Sequence, residues 1–73
     1  MNKTDVTTGR IVQRVIDATN NADVNVSVSV KHGIDEEHDL PRLMDNLYAF
    51  FPNSTISFKR LKFGYELKIE VEK

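Results

Sequence analysis

The stretch of sequence that decides the fold is Val24-Asn25-Val26-Ser27-Val28-Ser29-Val30-Lys31. Its valines alternate with polar residues, and side chains at alternate positions of a β-strand lie on opposite faces. Such strict alternation is typical of a strand that is buried on one face only. We therefore predict a strand over residues 24–31 whose valines pack into the core and whose polar side chains meet water.

A helix is predicted before this strand, over residues 8–19. Its apolar face consists of Ile11, Val12, Val15, Ile16 and Thr19. These residues recur at helical spacing, and a side-chain oxygen of Thr7 or Thr8 can cap the start. Asn20-Asn21 suits the end, because Asn tolerates a left-handed conformation. Residues 1–6 are expected to form a flexible tail.

A second helix is predicted after the strand, beginning at Leu40-Pro41 and ending before Pro52. Proline near the first helical position costs no hydrogen bond, whereas proline beyond the last turn stops the helix. The apolar stripe of this helix consists of Leu40, Leu43, Met44, Leu47 and Phe51.

Two further strands are predicted over residues 55–61 and 65–71. Their apolar faces meet if Phe58 lies opposite Ile69 and Ile56 opposite Val71, around a two-residue turn at Phe63-Gly64. The predicted fold is therefore α+β, with the order α-β-α-β-β and two helices packed on one face of a three-stranded sheet. Residues 1–73 form a single domain.

Composition narrows the classes of function. The 73 residues include no cysteine, so disulfides are excluded, and the net charge is −1. A dedicated nucleic-acid binder usually carries a basic excess, which this chain lacks. No apolar run approaches the roughly 20 residues that a membrane span needs, and the N-terminus lacks the pattern of a signal peptide. We expect a cytoplasmic protein that makes no membrane contact.

The sequence shows no pattern that is typical of an enzyme. Its glycines, Gly9, Gly33 and Gly64, are far apart, so a phosphate-binding loop is not indicated. No serine or threonine has the glycine-flanked setting of a hydrolase nucleophile. Two histidines flank an acidic segment, but their spacing matches no metal motif; the residues are His32, Asp35, Glu36, Glu37 and His38. We predict a non-enzymatic protein without catalytic residues, metal ligands or cofactor.

From residue 24 to residue 71 the chain resembles a known family. The second helix closes on Leu47-Tyr48-Ala49-Phe50-Phe51-Pro52-Asn53, and the strand Ile56-Ser57-Phe58-Lys59-Arg60 follows. This is similar to the "YAFPD"-like and "VSVR/K"-like segments of the DinI family, small DNA-damage-inducible proteins of bacteria and their phages. The resemblance implies a strand-helix-strand-strand core and a role in modulating the recombinase RecA. That family places an acidic helix last; here none follows the third strand, and we expect the N-terminal helix to occupy its place on the sheet.

The favoured functional hypothesis is a small regulator that acts by contact with another protein, which the resemblance suggests is RecA. The expected contact site is the densest cluster of like charge, Asp35, Glu36, Glu37 and Asp39. Carboxylates near a helix N-terminus are stabilised by the helix dipole, which accounts for one or two of them. The rest would steer a basic partner. A phage-encoded inhibitor of another host or defence protein is an alternative.

A nucleic-acid-binding accessory protein is the second hypothesis. It would use the basic residues of the last hairpin, Lys59, Arg60, Lys62 and Lys68, with Phe63 free to stack on a base. It is less favoured, because an ordinary solvated hairpin tip accounts for the same residues.

The sheet itself suggests a third kind of contact. Its outer face is predicted to be polar, formed by Asn25, Ser27, Ser29, Ser57, Lys59, Lys68 and Glu70. An antiparallel sheet can present such a face to water, so no function is required of it. The valine-rich first strand can lie at a sheet edge, where unpaired backbone groups accept another strand. A homodimer is therefore a further hypothesis.

Overall fold

The computed structural model describes residues 2–72. It contains α1 (Lys3–Asn20), β1 (Val26–Val30), α2 (Leu40–Phe50), β2 (Thr55–Arg60) and β3 (Tyr65–Val71). The strands form one antiparallel sheet in the order β1-β3-β2, so β1 and β2 are its two edges. The predicted α+β class and element order are confirmed. No helix within residues 2–72 is long and apolar enough to cross a membrane.

The core lies between the helices and one face of the sheet. Its wholly buried side chains come from both helices and the central strand; they are Val15, Leu43, Leu47, Leu67 and Ile69. The three valines of β1 are also buried, whereas Ser27 and Ser29 between them are exposed. The predicted alternation of β1 is therefore confirmed, and the other face of the sheet is polar and open.

β1 is shorter than predicted. Val24 is 70% exposed and precedes the strand. The reason is the length of β3, the strand beside β1. Val26 pairs with Val71, the last residue of β3, so residues before Val26 have no strand to pair with. Ile16, expected on the apolar face of α1, is 39% exposed.

α1 begins at Lys3, so the prediction of a flexible tail is wrong for residues 3–6; Met1 lies outside the described residues. The N-cap is Asn2, whose side chain accepts a hydrogen bond from the Thr4 amide, and not Thr7 or Thr8. Thr4 is buried, and its hydroxyl accepts a hydrogen bond from the Asp39 amide, which satisfies the buried oxygen. A polar segment that resembles a tail in sequence is therefore packed against the loop before α2.

The register of β2 against β3 differs from the predicted one by two residues. Ile56 lies opposite Ile69 and Phe58 opposite Leu67, so the same faces meet but the connecting turn is longer. Leu61 donates its amide proton to the Gly64 carbonyl across this turn. Gly64 has φ +85, and a Cβ atom there would lie 2.4 Å from the Ile34 carbonyl oxygen. The close approach of the turn to Ile34 fixes the register, and Phe58 remains only partly buried.

Candidate protein-binding groove

The acidic loop, residues 35–39, is held between β1 and α2 by contacts at both ends. Before it, Ile34 is buried, and its carbonyl accepts a hydrogen bond from the Tyr65 amide at the start of β3. At its end, Asp39 is the N-cap of α2 and accepts a hydrogen bond from the Arg42 amide at 3.1 Å. One of the four carboxylates of the cluster is therefore used in capping, as the helix-dipole reasoning anticipates.

His38 fastens the middle of the loop to α1. Its side chain is wholly buried, with Nε2 2.7 Å from the Thr7 hydroxyl and Nδ1 3.0 Å from an Asp35 carboxylate oxygen. The Asp35 amide also lies 3.2 Å from Nδ1. Nothing in the sequence pattern linked Thr7 to His38, which are 31 positions apart. The interaction could be found only from the packing of α1 on the loop.

The contacts from Thr7 to His38 to Asp35 follow the order of a hydrolytic triad. Thr7, however, is 7% exposed. The cavity beside it measures about 70 Å³, small against the roughly 300–1,000 Å³ typical of ligand sites. A hydroxyl in this setting is not presented to an acyl substrate. We interpret the three groups as a structural clamp that joins the loop to α1.

The carboxylates of the loop are paired with cations from elsewhere in the fold. Lys3 contacts both Asp35 and Glu37, and Arg60 contacts Glu36 at 2.8 Å. The Lys3 ammonium, followed by the His38 imidazole, lowers the pKa of Asp35 to about 2, and the same two carboxylates raise the pKa of Lys3. Two cations therefore pair with three of the four carboxylates, so the fold offsets about half of the like charge that the sequence places together.

A surface groove of about 760 Å³ runs between this loop and the turn joining β2 and β3. We call it the acidic groove. It is lined by Lys3, Lys31, His32, Gly33, Ile34, Asp35, Glu36, Glu37, Phe63 and Gly64. Phe63 is 86% exposed on one wall, and the side chain of Glu37 is 82% exposed on the other. The groove thus combines an exposed aromatic ring with carboxylates that are still accessible.

The sequence identified the carboxylates of this groove but not its second wall. Phe63 was considered only as a base-stacking residue of the basic hairpin. It faces the acidic loop because the turn at Gly64 approaches Ile34 closely, as its positive φ allows. A glycine directly after an aromatic residue in a turn was the one available signal.

The basic residues of the last hairpin are interspersed with carboxylates. Arg60 pairs with Glu36, and Lys68 lies 3.3 Å from Glu70. Lys59 is opposite Glu66 across the strands, and Lys62 lies over the Phe63 ring. Three of the four cations therefore have a carboxylate as a neighbour.

A metal site is not formed by the histidines and carboxylates considered above. His38 is buried in the clamp, whereas His32 is exposed on the groove wall. Within residues 2–72, no group of three or more such side chains is arranged to hold a metal ion.

No family model, curated protein or solved structure matches the chain. The resemblance to the DinI family therefore rests on the residues quoted for it and stays a prediction. The geometry of the groove is the basis on which a function can be argued.

Proposed function

We propose that the protein is a non-enzymatic regulator that binds a basic segment of another protein in the acidic groove. The observation that carries this proposal is the exposure of Phe63 beside the carboxylates of Glu36 and Glu37. An aromatic side chain that is almost fully exposed contributes little to folding and a large apolar area to binding. Aromatic residues of this kind are enriched among the energetically dominant residues of interfaces.

The ion pairs of the groove are weak enough for a cation of the partner to replace Lys3 or Arg60. Both Lys3 with Glu37 and Arg60 with Glu36 are solvent-exposed pairs, and such pairs contribute only about 0–1 kcal/mol each. An arginine or lysine of the partner can therefore replace Lys3 or Arg60 at small cost while its aliphatic stem packs on Phe63. An arginine can also stack its guanidinium on the ring.

The resemblance to the DinI family makes the RecA filament the first partner to test. The protein would then act in the cytoplasm, in the response to DNA damage. A different host or defence protein with a basic, accessible segment would use the same groove. Substitutions in the groove would then weaken the binding of that partner as well.

The groove can be tested with a labelled peptide that carries arginine between aliphatic residues, measured by fluorescence anisotropy. F63A should weaken binding by about tenfold or more, as expected for an aromatic anchor. F50A is the matched control, because Phe50 is exposed on α2 outside the groove. Equal binding by the two variants would remove the groove from consideration.

The carboxylates are tested by the rate of association. E36K together with E37K should slow binding strongly at low salt and less at high salt, because charge at a rim acts mainly on the on-rate. D23K together with E72K makes the same change of net charge at exposed positions outside the groove. If both double variants slow association equally, the effect is one of net charge and not of the groove.

RecA filaments and bare single-stranded DNA complete the comparison. Co-sedimentation with RecA filaments that is lost in F63A supports the RecA partner. Binding to bare single-stranded DNA that falls steeply with salt would instead support the nucleic-acid hypothesis. The groove proposal expects little binding to bare DNA.

A further inference from the structure

β1 leaves one side of its backbone open. It pairs with β3 alone, and within residues 2–72 no other strand lies beside it. Sheet edges are usually protected by charged side chains, proline or a bulge. The other edge, β2, carries Lys59 and Arg60, whereas β1 contains only valine and serine. β1 is thus the unprotected edge of the sheet.

Two arginines of α1 lie above the end of this edge; we call them the arginine flank. Arg10 and Arg14 are one helical turn apart, and the Arg10 guanidinium lies beside Gly33, 3.3 Å from where a Cβ atom would be. Both line the small cavity of about 70 Å³, together with Thr7, Ile11, Val30 and His32. No residue of β3 lines the cavity, which places it at the outer margin of the sheet.

The charges of the arginine flank have no ion-pair partner among residues 2–72. Neither Arg10 nor Arg14 forms an ion pair with any residue of the described part of the chain. No carboxylate lines the cavity either. Guanidinium groups bind carboxylates strongly, often through two parallel hydrogen bonds. Asp5 and Asp17 lie on the same surface of α1 as the two arginines, but they bond to Arg42 and Gln13 instead. On the side of β1 the flank is therefore open to an acidic group of a partner.

The geometry of the sheet determines which side chains of an added strand would meet the flank. Val26, Val28 and Val30 face the helices, and Ser27 and Ser29 face the open side. A strand added beside β1 alternates in the same way. Every second side chain would therefore lie on the helix side, next to Arg10 and Arg14, and acidic side chains would complement them.

We propose that the outer edge of β1 binds an extended acidic segment of a partner protein, which adds to the sheet as a fourth strand. Backbone hydrogen bonds to β1 hold the segment, and carboxylates at alternate positions bind Arg10 and Arg14 and set the register. This mode of peptide recognition draws affinity from the main chain and specificity from alternate side chains. The surface adjoins the acidic groove at His32, which lines both, but it takes the opposite charge.

A second copy of the chain fits this edge less well. Adding β1 of another molecule would place its valines on the helix side, next to the guanidinium groups of the arginine flank. Apolar side chains there would bury the arginines without giving them a partner, which is costly.

The test uses labelled, end-blocked peptides in which glutamate alternates with threonine. Their length is about eight residues, which lies within the usual range of strand lengths. Anisotropy should show binding to the wild-type protein, and R10E together with R14E should weaken it by about tenfold or more. K59E together with K62E, which makes the same charge change on the far hairpin, should bind as wild type. Circular dichroism of R10E/R14E should remain that of the wild-type protein, since both side chains are exposed and neither forms an ion pair within residues 2–72.

A second peptide tests the strand addition without changing the protein. N-methylation of alternate backbone amides removes donors but keeps every charge, and it should abolish the binding. The proposal is overturned if N-methylation has no effect, if R10E/R14E binds as well as wild type, or if no alternating acidic peptide binds. It is also overturned if sedimentation shows a dimer that the peptide does not dissociate. Single-stranded DNA or inorganic phosphate that binds the arginine flank more tightly than the peptide would likewise assign the site to another ligand.

Discussion

The acidic loop and the arginine flank differ in how the fold pairs their charges. The loop concentrates four carboxylates within five residues, yet Lys3, Arg60, His38 and the start of α2 each take up part of that charge. The flank holds only two charges, Arg10 and Arg14, and neither is paired within residues 2–72. Charge density along a sequence therefore does not locate unpaired charge on the surface. Folding brings opposite charges together across long separations, so the pairing of each charged surface is visible only in the structure.

The largest expected difference in stability is between variants of two glycines, Gly64 beside the acidic loop and Gly9 beside the arginine flank. G64A should destabilise the protein by about 2–4 kcal/mol, because φ there is left-handed and the added Cβ would meet the Ile34 carbonyl. G9A, in α1 beside the arginine flank, meets nothing within 4 Å and should stabilise by about 0.5–1 kcal/mol. Chemical denaturation of both variants measures the difference. Similar stabilities of the two variants would show that Gly64 does not lie as close to the Ile34 carbonyl as the structure has it.

The next largest loss of stability is expected from the clamp formed by Thr7, His38 and Asp35. H38A should cost about 1–3 kcal/mol, because it leaves buried hydrogen-bonding groups of Thr7 and the loop without their partner. H32A, a change of the exposed histidine on the groove wall, should be nearly neutral. Thermal unfolding of the two variants under the same conditions provides the comparison. A neutral H38A would mean that the loop is not fastened to α1 through His38.

The smallest effect is one of pH. The folded pKa of Asp35 is about 2 against an ordinary value of 3.8, so the folded state holds this proton less tightly than the unfolded chain. Its contribution to stability is therefore complete above pH 3.8 and is lost as the pH falls towards 2. K3Q should raise the pKa of Asp35, because the Lys3 contact is the main cause of the shift. Titration of the Asp35 carboxyl followed by NMR gives this pKa directly, with K62Q as the control. A pKa of Asp35 in K3Q equal to that in the wild-type protein would contradict the pairing of Asp35 with Lys3.

The sequence predicted the fold well wherever apolar periodicity was strong. The alternation in β1 and the stripe of α2, from Leu43 to Leu47, gave the element order and most of the buried residues. The prediction from sequence failed where polar residues pack inside the fold. Thr4 and Thr7 resemble a tail and a helix cap in the sequence, but both are buried against the loop. The strand register was wrong by two residues because it depends on the contact between Gly64 and Ile34, which no local pattern records.

The candidate sites were predicted less completely, for a related reason. The acidic residues of the groove were identified from their density, but Lys3 and Arg60, which pair with them, are 32 and 24 positions away. The arginine flank was not identified at all, because two arginines on a helix are ordinary in sequence. Only the position of α1 over the end of β1 shows that they border an open edge.

The most direct test of the difference between the two surfaces is a pair of amide NMR titrations of the wild-type protein, one with the basic peptide and one with the alternating acidic peptide. The basic peptide should shift the amides of Glu36, Glu37, Phe63 and Gly64, and the acidic peptide those of residues 26–30 and of α1 around Arg10 and Arg14. Two separate sets of shifted amides would support both surfaces. Shifts from the acidic peptide that centre on Lys59 and Lys68, or no shifts along β1, would contradict the claim that the unpaired charge of the fold marks its binding edge.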